Sequence, residues 1–396
     1  MHRKLFSSSL IFAFIFATGP VWAQDVKEPE SVDAETYKKV VSAGVTYLLE
    51  KGQAEDGSFS KGLSTAVTSM SATALMKHGL PADHPKIAKA VLYVLKHVQE
   101  DGGIYTPDTF LKNYETSLAI LCLVQANKDG LYDEIIQDAA NYVKKIQWDH
   151  AEGHDRSSGF FGGWGYGSHQ RPDLSNTQFA LEALIAAGVD ESSVEIEKAK
   201  VFLSRGQNLP SAENTMGFAS GVKKGDDDWG SIIYTPANGG ETKVVPAENE
   251  GGGLRGYASM TYAGLKSFLY AGLDKDDIRV QAAMDWISRH YSLETNPGLG
   301  AQGLYYYYHV FAKALDAVGQ RTLTESDGTV HNWRAELVTE LAKRQREDGS
   351  WTNIEHDRWY EGDNNLVTCY ALLSLSYCSP ELDKDAPEAL QADPVK

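Results

Sequence analysis

The chain has 396 residues, 54 acidic against 37 basic side chains, a net charge of −17 and 42% apolar residues. Such acidity excludes a nucleic-acid partner, which needs clustered Lys and Arg, and three cysteines exclude a disulfide-stapled small domain. No apolar run in the body is long enough for a multi-span membrane protein.

At the start, Met-His-Arg-Lys forms a basic head, residues 5–17 are apolar, and Val21 and Ala23 are small. These are the parts of a secretory signal peptide over residues 1–23, cleaved after Ala23. The protein is expected to be exported, periplasmic or secreted, with no transmembrane anchor left after cleavage. Residues 24–35 follow as an N-terminal extension.

Beyond them one phrase recurs. It reads Gln53-Ala54-Glu55-Asp56-Gly57-Ser58-Phe59, then in shorter form Gln99-Glu100-Asp101-Gly102-Gly103-Ile104, and finally Gln345-Arg346-Glu347-Asp348-Gly349-Ser350-Trp351. Each phrase closes an amphipathic segment and precedes a more apolar one. The apolar segments align on Thr68, Thr116, Thr177, Thr261 and Thr368, with Tyr308 in the matching place of a further copy. Gly79, Asn127, Gly188, Gly272 and Gly319 end these segments, as residues suited to left-handed helix caps. The repeat therefore predicts six units of outer helix, turn and inner helix. Outer helices carry charge on one side and inner helices are apolar nearly all round. Six such hairpins close most simply into an all-α, α6–α6 toroid over residues 36–380; an open solenoid would need polar end caps.

Within the phrase, Asp-Gly supplies the left-handed turn position. The Gln amide can bond backbone at the next helix end beneath a covering Trp or Phe. Its role is structural.

Residues 207–257 interrupt the fourth unit with a Gly-rich insertion containing Asp226, Asp227, Asp228, Trp229 and Arg255. An insertion of that length is usually functional or disordered; its Trp229, Ile232, Ile233 and Tyr234 predict packing as a lid or rim. The three aspartates read as a solvated acidic turn, with Ca²⁺ binding or acid chemistry as the alternative. Cys122, Cys369 and Cys378 are expected as buried free thiols, since the last two lie about 13 Å apart along one helix, beyond disulfide reach. Residues 381–396 are Pro- and acid-rich and predict a disordered tail.

The Gln-x-x-Asp-Gly-Ser-Trp phrase resembles the QW repeat of the terpenoid cyclase and protein prenyltransferase superfamily, and squalene–hopene-type cyclases in particular. Gly162-Gly163-Trp164-Gly165-Tyr166 and the stretch from Arg171 through Asp173-Leu174-Ser175-Asn176-Thr177 are similar to one of their repeats. The resemblance implies the toroid. It also implies where chemistry should stand: such cyclases protonate an alkene with the middle Asp of Asp-x-Asp-Asp-Thr, and Ser175 occupies that place here. The prenyltransferase branch holds zinc with Asp, Cys and His, and Val367 stands where its His would be. Neither catalytic set is present, and the residues assign no metal and no cofactor.

What remains is a pocket at the end of the ring where the inner helices begin. Its acid–base candidates are Asp173, Asp227, His309 and Asp363. Its candidate wall is Trp164, Tyr166, Arg171, Arg255, Trp359 and, from a run of four tyrosines over 305–308 of which some must point at the ring's centre, Tyr305, Tyr307 and Tyr308. Tyrosine faces suit cationic intermediates and their hydroxyls suit polar ligands. The first expectation is an exported cyclase-like ring binding an apolar, amphiphilic or isoprenoid-like molecule, with catalysis an open matter. The alternatives are a non-catalytic scaffold of the cell envelope, with another envelope protein as partner, and a polysaccharide lyase or hydrolase on the same kind of ring.

Overall fold

The computed structural model describes residues 29–167, 170–249 and 251–385. The expected signal peptide over 1–23 and the tail from 386 lie outside the described residues. The amphipathic and apolar segments are helices in strict alternation: α1 (Ala34–Tyr47), α2 (Thr65–Lys77), α3 (Pro85–Leu95), α4 (Lys112–Ala126), α5 (Asp133–Lys145) and α6 (Leu174–Ala186). They continue as α7 (Val194–Gly206), α8 (Ala258–Tyr270), α9 (Ile278–Arg289), α10 (Leu304–Val318), α11 (Trp333–Arg344) and α12 (Asn364–Leu375).

The odd-numbered helices are amphipathic. In α3, for example, Ile87, Ala90, Val91 and Val94 are buried while Lys89 is exposed. The even-numbered helices are buried almost throughout, as apolar composition on every face demands. These inner helices touch in order, α2 to α4, α4 to α6, α6 to α8, α8 to α10 and α10 to α12, and α12 returns to α2. The architecture is helical and consistent with an α/α toroid.

The aligned threonines have one job. Each hydroxyl accepts the backbone N–H that follows a turn: Phe59 to Thr68 at 2.9 Å, Ile104 to Thr116 at 3.1 Å, Trp164 to Thr177 at 3.0 Å, Ile232 to Thr261 at 3.1 Å and Trp351 to Thr368 at 3.1 Å. A buried N–H left without this partner would cost about 1–3 kcal/mol. In the remaining copy Tyr308 reaches further and donates its phenol to the Leu293 carbonyl.

The turn glutamines tie one outer helix to the next. Gln53 donates to the Lys86 carbonyl of α3, Gln147 to Glu195 of α7, Gln207 to Arg279 of α9 and Gln345 to Val40 of α1, all at 2.8–2.9 Å. Gln99 serves only its own turn, bonding the His97 and Tyr105 carbonyls. Gly162 shows why glycine is needed beside these contacts. Its φ is +89°, and a Cβ there would lie 1.9 Å from the Lys198 carbonyl oxygen of α7.

Four expectations are corrected. Asn127 does not adopt a left-handed cap (φ −72°); its side chain instead accepts from the Tyr132 N–H and donates to Asp133. A short antiparallel pair, β1 (Leu323–Thr324) with β2 (Val330–His331), separates α10 from α11. Residues 381–385, expected to be disordered, belong to a further helix, α13 (Pro380–Asp385). It is held because buried Asp383 accepts from the Val32 N–H and Asn332. In the insertion, Asp226, Asp227 and Asp228 do not share one site. Asp226 accepts from the Lys223 N–H, Asp227 is exposed beside His290, and Asp228 turns inward to the Gly256 N–H and Asn249. The insertion packs, as Trp229 and its neighbours predicted: Phe218, Ala219 and Ile233 form a small apolar cluster with Met216 and Leu254.

Candidate functional site

At the N-terminal ends of the inner helices lies a cavity of about 240 Å³. Helix register decides what faces it. The threonines point outward to their turns, so residues two positions before and two after them turn toward the ring interior. The earlier position supplies Tyr114, Ser175, Ser259, Tyr306 and Leu366, all in the cavity wall. The later one supplies Phe179 and Tyr370.

Four of these rings close on one another. Tyr114 meets Phe179 edge-on at 5.3 Å between centroids, Phe179 meets Tyr306 at 6.2 Å, and Tyr306 meets Tyr370 at 6.0 Å. The Tyr370 hydroxyl completes the circuit, 3.3 Å from that of Tyr114. Helices α4, α6, α10 and α12 thus build an aromatic quartet. Tyr166, Tyr234, Tyr257 and Trp359 add further aromatic wall from the connections. Exposed Phe110 packs edge-on against Tyr166 at 5.9 Å.

The polar part of the wall is small. The Ser175 hydroxyl lies 3.1 Å from that of Tyr306. Glu361 is buried and accepts from the backbone N–H groups of Tyr305 and Tyr306, each at 2.9 Å, and from Asn353 at 2.7 Å. It caps α10, which starts without a side-chain cap of its own. Burial nevertheless pushes its carboxyl up to about 7. Outside the wall, Asp173 caps α6 through the Asn176 N–H at 2.8 Å, and burial pushes its carboxyl up to about 6. Also outside it, Arg171 pairs with Glu241, and the Lys243 ammonium sits 4.2 Å from the centroid of the Tyr234 ring.

Of the sequence candidates, Tyr166 and Trp359 line the cavity. From the tyrosine run it is Tyr306 that does so. Four successive helical residues fan through most of a turn, so only one can face the axis. Tyr307 and Tyr308 are fully buried and donate to the Ser292 and Leu293 carbonyls, while Tyr305 packs edge-on against Tyr308. Trp164 is sealed in the core, its indole N–H donating to the Val143 carbonyl at 2.7 Å. Arg171 and Arg255 stand outside the wall.

Asp363 caps α12 and accepts from Ser60, away from the wall. Asp227 lies on the surface. His309 is buried one turn beyond Tyr306, outside the wall, and burial holds its imidazole well below its ordinary range, hence neutral. All three thiols are free and buried; Cys369 lies 3.0 Å from the Ser71 hydroxyl, and burial pushes it up to about 12. The wall residues Tyr114, Phe179, Tyr234 and Tyr370 were missed, although the threonine register carried the signal for three of them.

The family description squalene-hopene cyclase C-terminal domain matches residues 54–221. Among solved structures, the chain is similar to a variant of type II terpene cyclase MstE from Scytonema in complex with geranylgeranyl dihydroxybenzoate, its substrate. Identity is 13% and the TM-score 0.51, over 88% of this chain and 98% of that one. A second variant of the same cyclase, in apo form, gives the same identity, TM-score and coverage. A likeness at this identity is one of fold. No curated protein matches the chain. The family match over residues 54–221 and the likeness of fold agree with the resemblance carried by the repeats. No helix among the described residues is long and apolar enough to cross a membrane.

Proposed function

We propose that this is an exported protein whose six hairpins close as an α6–α6 toroid and whose mouth binds an apolar or isoprenoid-like molecule. The observation that carries this reading is the aromatic quartet around a cavity with few polar groups. Apolar surface taken out of water there contributes roughly 25 cal/mol per Å². Tyrosine faces add attraction for unsaturated or cationic groups. The MstE cyclase, of similar fold, is described with an isoprenoid-bearing substrate. Export rests on the basic and apolar pattern of residues 1–23.

Proton-initiated cyclisation does not follow from this wall. The position of the cyclase acid is Ser175, whose hydroxyl is engaged with Tyr306 and is too weak an acid to protonate an alkene. The wall carboxyl, Glu361, is occupied in capping α10. Binding is therefore the activity proposed.

The test is a titration of purified protein with farnesol, followed by calorimetry. Saturable one-to-one binding is expected. Ser175→Trp places an indole in the cavity and is expected to weaken that binding by at least about tenfold, or roughly 1.4 kcal/mol. Absence of binding to the wild type, or equal binding by the folded variant, would overturn the reading.

A further inference from the structure

Beneath the quartet, α6 and α10 face each other across the ring in three rungs. Ser175, Gln178 and Glu182 lie on one face of α6; Tyr306, His309 and Lys313 lie on one face of α10. The top rung is bonded, Ser175 to Tyr306 at 3.1 Å. The bottom rung is bonded too, with the Lys313 ammonium on one oxygen of Glu182. Lys266 of α8 lies 2.7 Å from the other Glu182 oxygen and also donates to the side-chain amide oxygen of Gln178.

The middle rung is different. Gln178 is 1% exposed and His309 2%, yet the Gln178 amide nitrogen and the His309 Nδ1 have no hydrogen-bond partner. Buried polar atoms are nearly always paired, because an unpaired one has lost its water for nothing. The charge around them does not balance either. Two buried ammonium groups, Lys266 and Lys313, share a single carboxylate, and Lys77 at the end of α2 adds a further positive charge nearby. Asp316, the one acid on α10, is taken by Arg334 at 2.9 Å. An ion cluster sealed into a core contributes little to stability over apolar residues of the same volume. An unpaired amide donor beside surplus positive charge calls for an oxygen-bearing anion.

Resting on the proposed binding of an apolar molecule in the cavity above, we infer that the ligand is an amphiphile with a single oxyanion head, and that the head occupies the middle rung. The Gln178 amide donates to it and the Lys266–Lys313 pair supplies the charge. The hydrocarbon part extends through the quartet of Tyr114, Phe179, Tyr306 and Tyr370 into the cavity. His309 lies at the junction, its ring 5.7 Å from that of Tyr370. Lys313 and Gln178 are then specificity residues for the head, distinct from the apolar wall that binds the chain.

The experiment compares farnesoic acid with farnesol, which share a chain and differ in the head. Wild-type protein is expected to bind the acid on the order of tenfold more tightly than the alcohol. Lys313→Met removes the surplus charge but leaves Glu182 paired with Lys266, so the fold should survive, as a thermal melt will report. This variant is expected to bring the two affinities within about twofold while farnesol binding is kept. Gln178→Leu should lower acid binding alone.

Equal affinity of the wild type for acid and alcohol would mean ordered water only in the middle rung, and would overturn the inference while leaving cavity binding intact. A preference for the acid that persists in both variants would overturn it as well. If neither molecule binds, the proposed function itself fails, and this inference with it.

Discussion

Glu361 carries a linkage that can be read as stability. Burial raises its carboxyl to about 7, so between the unfolded carboxylate range and that value the folded chain holds the proton more tightly. Below the unfolded value both states are protonated and the penalty is absent. As pH rises from about 4.5 to about 7 the folded state loses up to roughly 3 kcal/mol relative to the unfolded one, and above that the loss is constant. Glu361→Gln keeps an acceptor for the α10 N–H groups and cannot ionise. Urea denaturation of both proteins at about pH 5 and about pH 8 should show the variant losing less stability than the wild type across that interval. Parallel losses would contradict the assignment. The site was only partly legible at this scale: the sequence drew attention to four adjacent tyrosines, whereas the cavity draws its wall from several helices and takes one tyrosine of that run. Composition highlights neighbours in the chain; a ring wall is made of residues far apart in it.

Helix–turn–helix hairpins were the most legible feature, because each turn repeats the same bonds. Even so, only three turn phrases could be recognised. In two others the parts are the same but separated: Gln147 from Gly162-Gly163-Trp164, and Gln207 from Gly230-Ser231-Ile232. Insertions between the glutamine and the glycine hide the phrase in the sequence while leaving the folded turn unchanged. The glycine is its most demanding member. Gly162→Ala must accept a left-handed φ and a Cβ 1.9 Å from the Lys198 carbonyl, backbone that cannot swing aside. It is expected to destabilise by more than about 2 kcal/mol. Gly221→Ala, where a Cβ meets nothing within 4 Å, should stay within about 0.5 kcal/mol of the wild type. Similar denaturation midpoints for the two variants would contradict the role given to the turn.

Across the whole molecule, the two ends of the described chain meet. Gln345 bonds Val40 of α1, and Asp383 of α13 bonds the Val32 N–H that precedes α1. Together with the return of α12 to α2, these contacts join the last hairpin to the first. The alternation of inner and outer helices followed from the apolar pattern, and the contacts between the last and first helices are consistent with the toroid the repeats led us to expect. The last helix did not, since a short acidic segment has too little intrinsic helicity and is held by distant partners. Ligand chemistry was the least legible, as the same ring can serve many activities and only the wall distinguishes them. The central claim is that this wall holds an apolar molecule, and native mass spectrometry of protein purified from its own compartment tests it most directly. A discrete adduct of a hydrocarbon-rich molecule, present on the wild type and absent from Ser175→Trp, is the result predicted; an unadorned mass for the folded wild type, with no adduct recovered under gentle conditions, would contradict it.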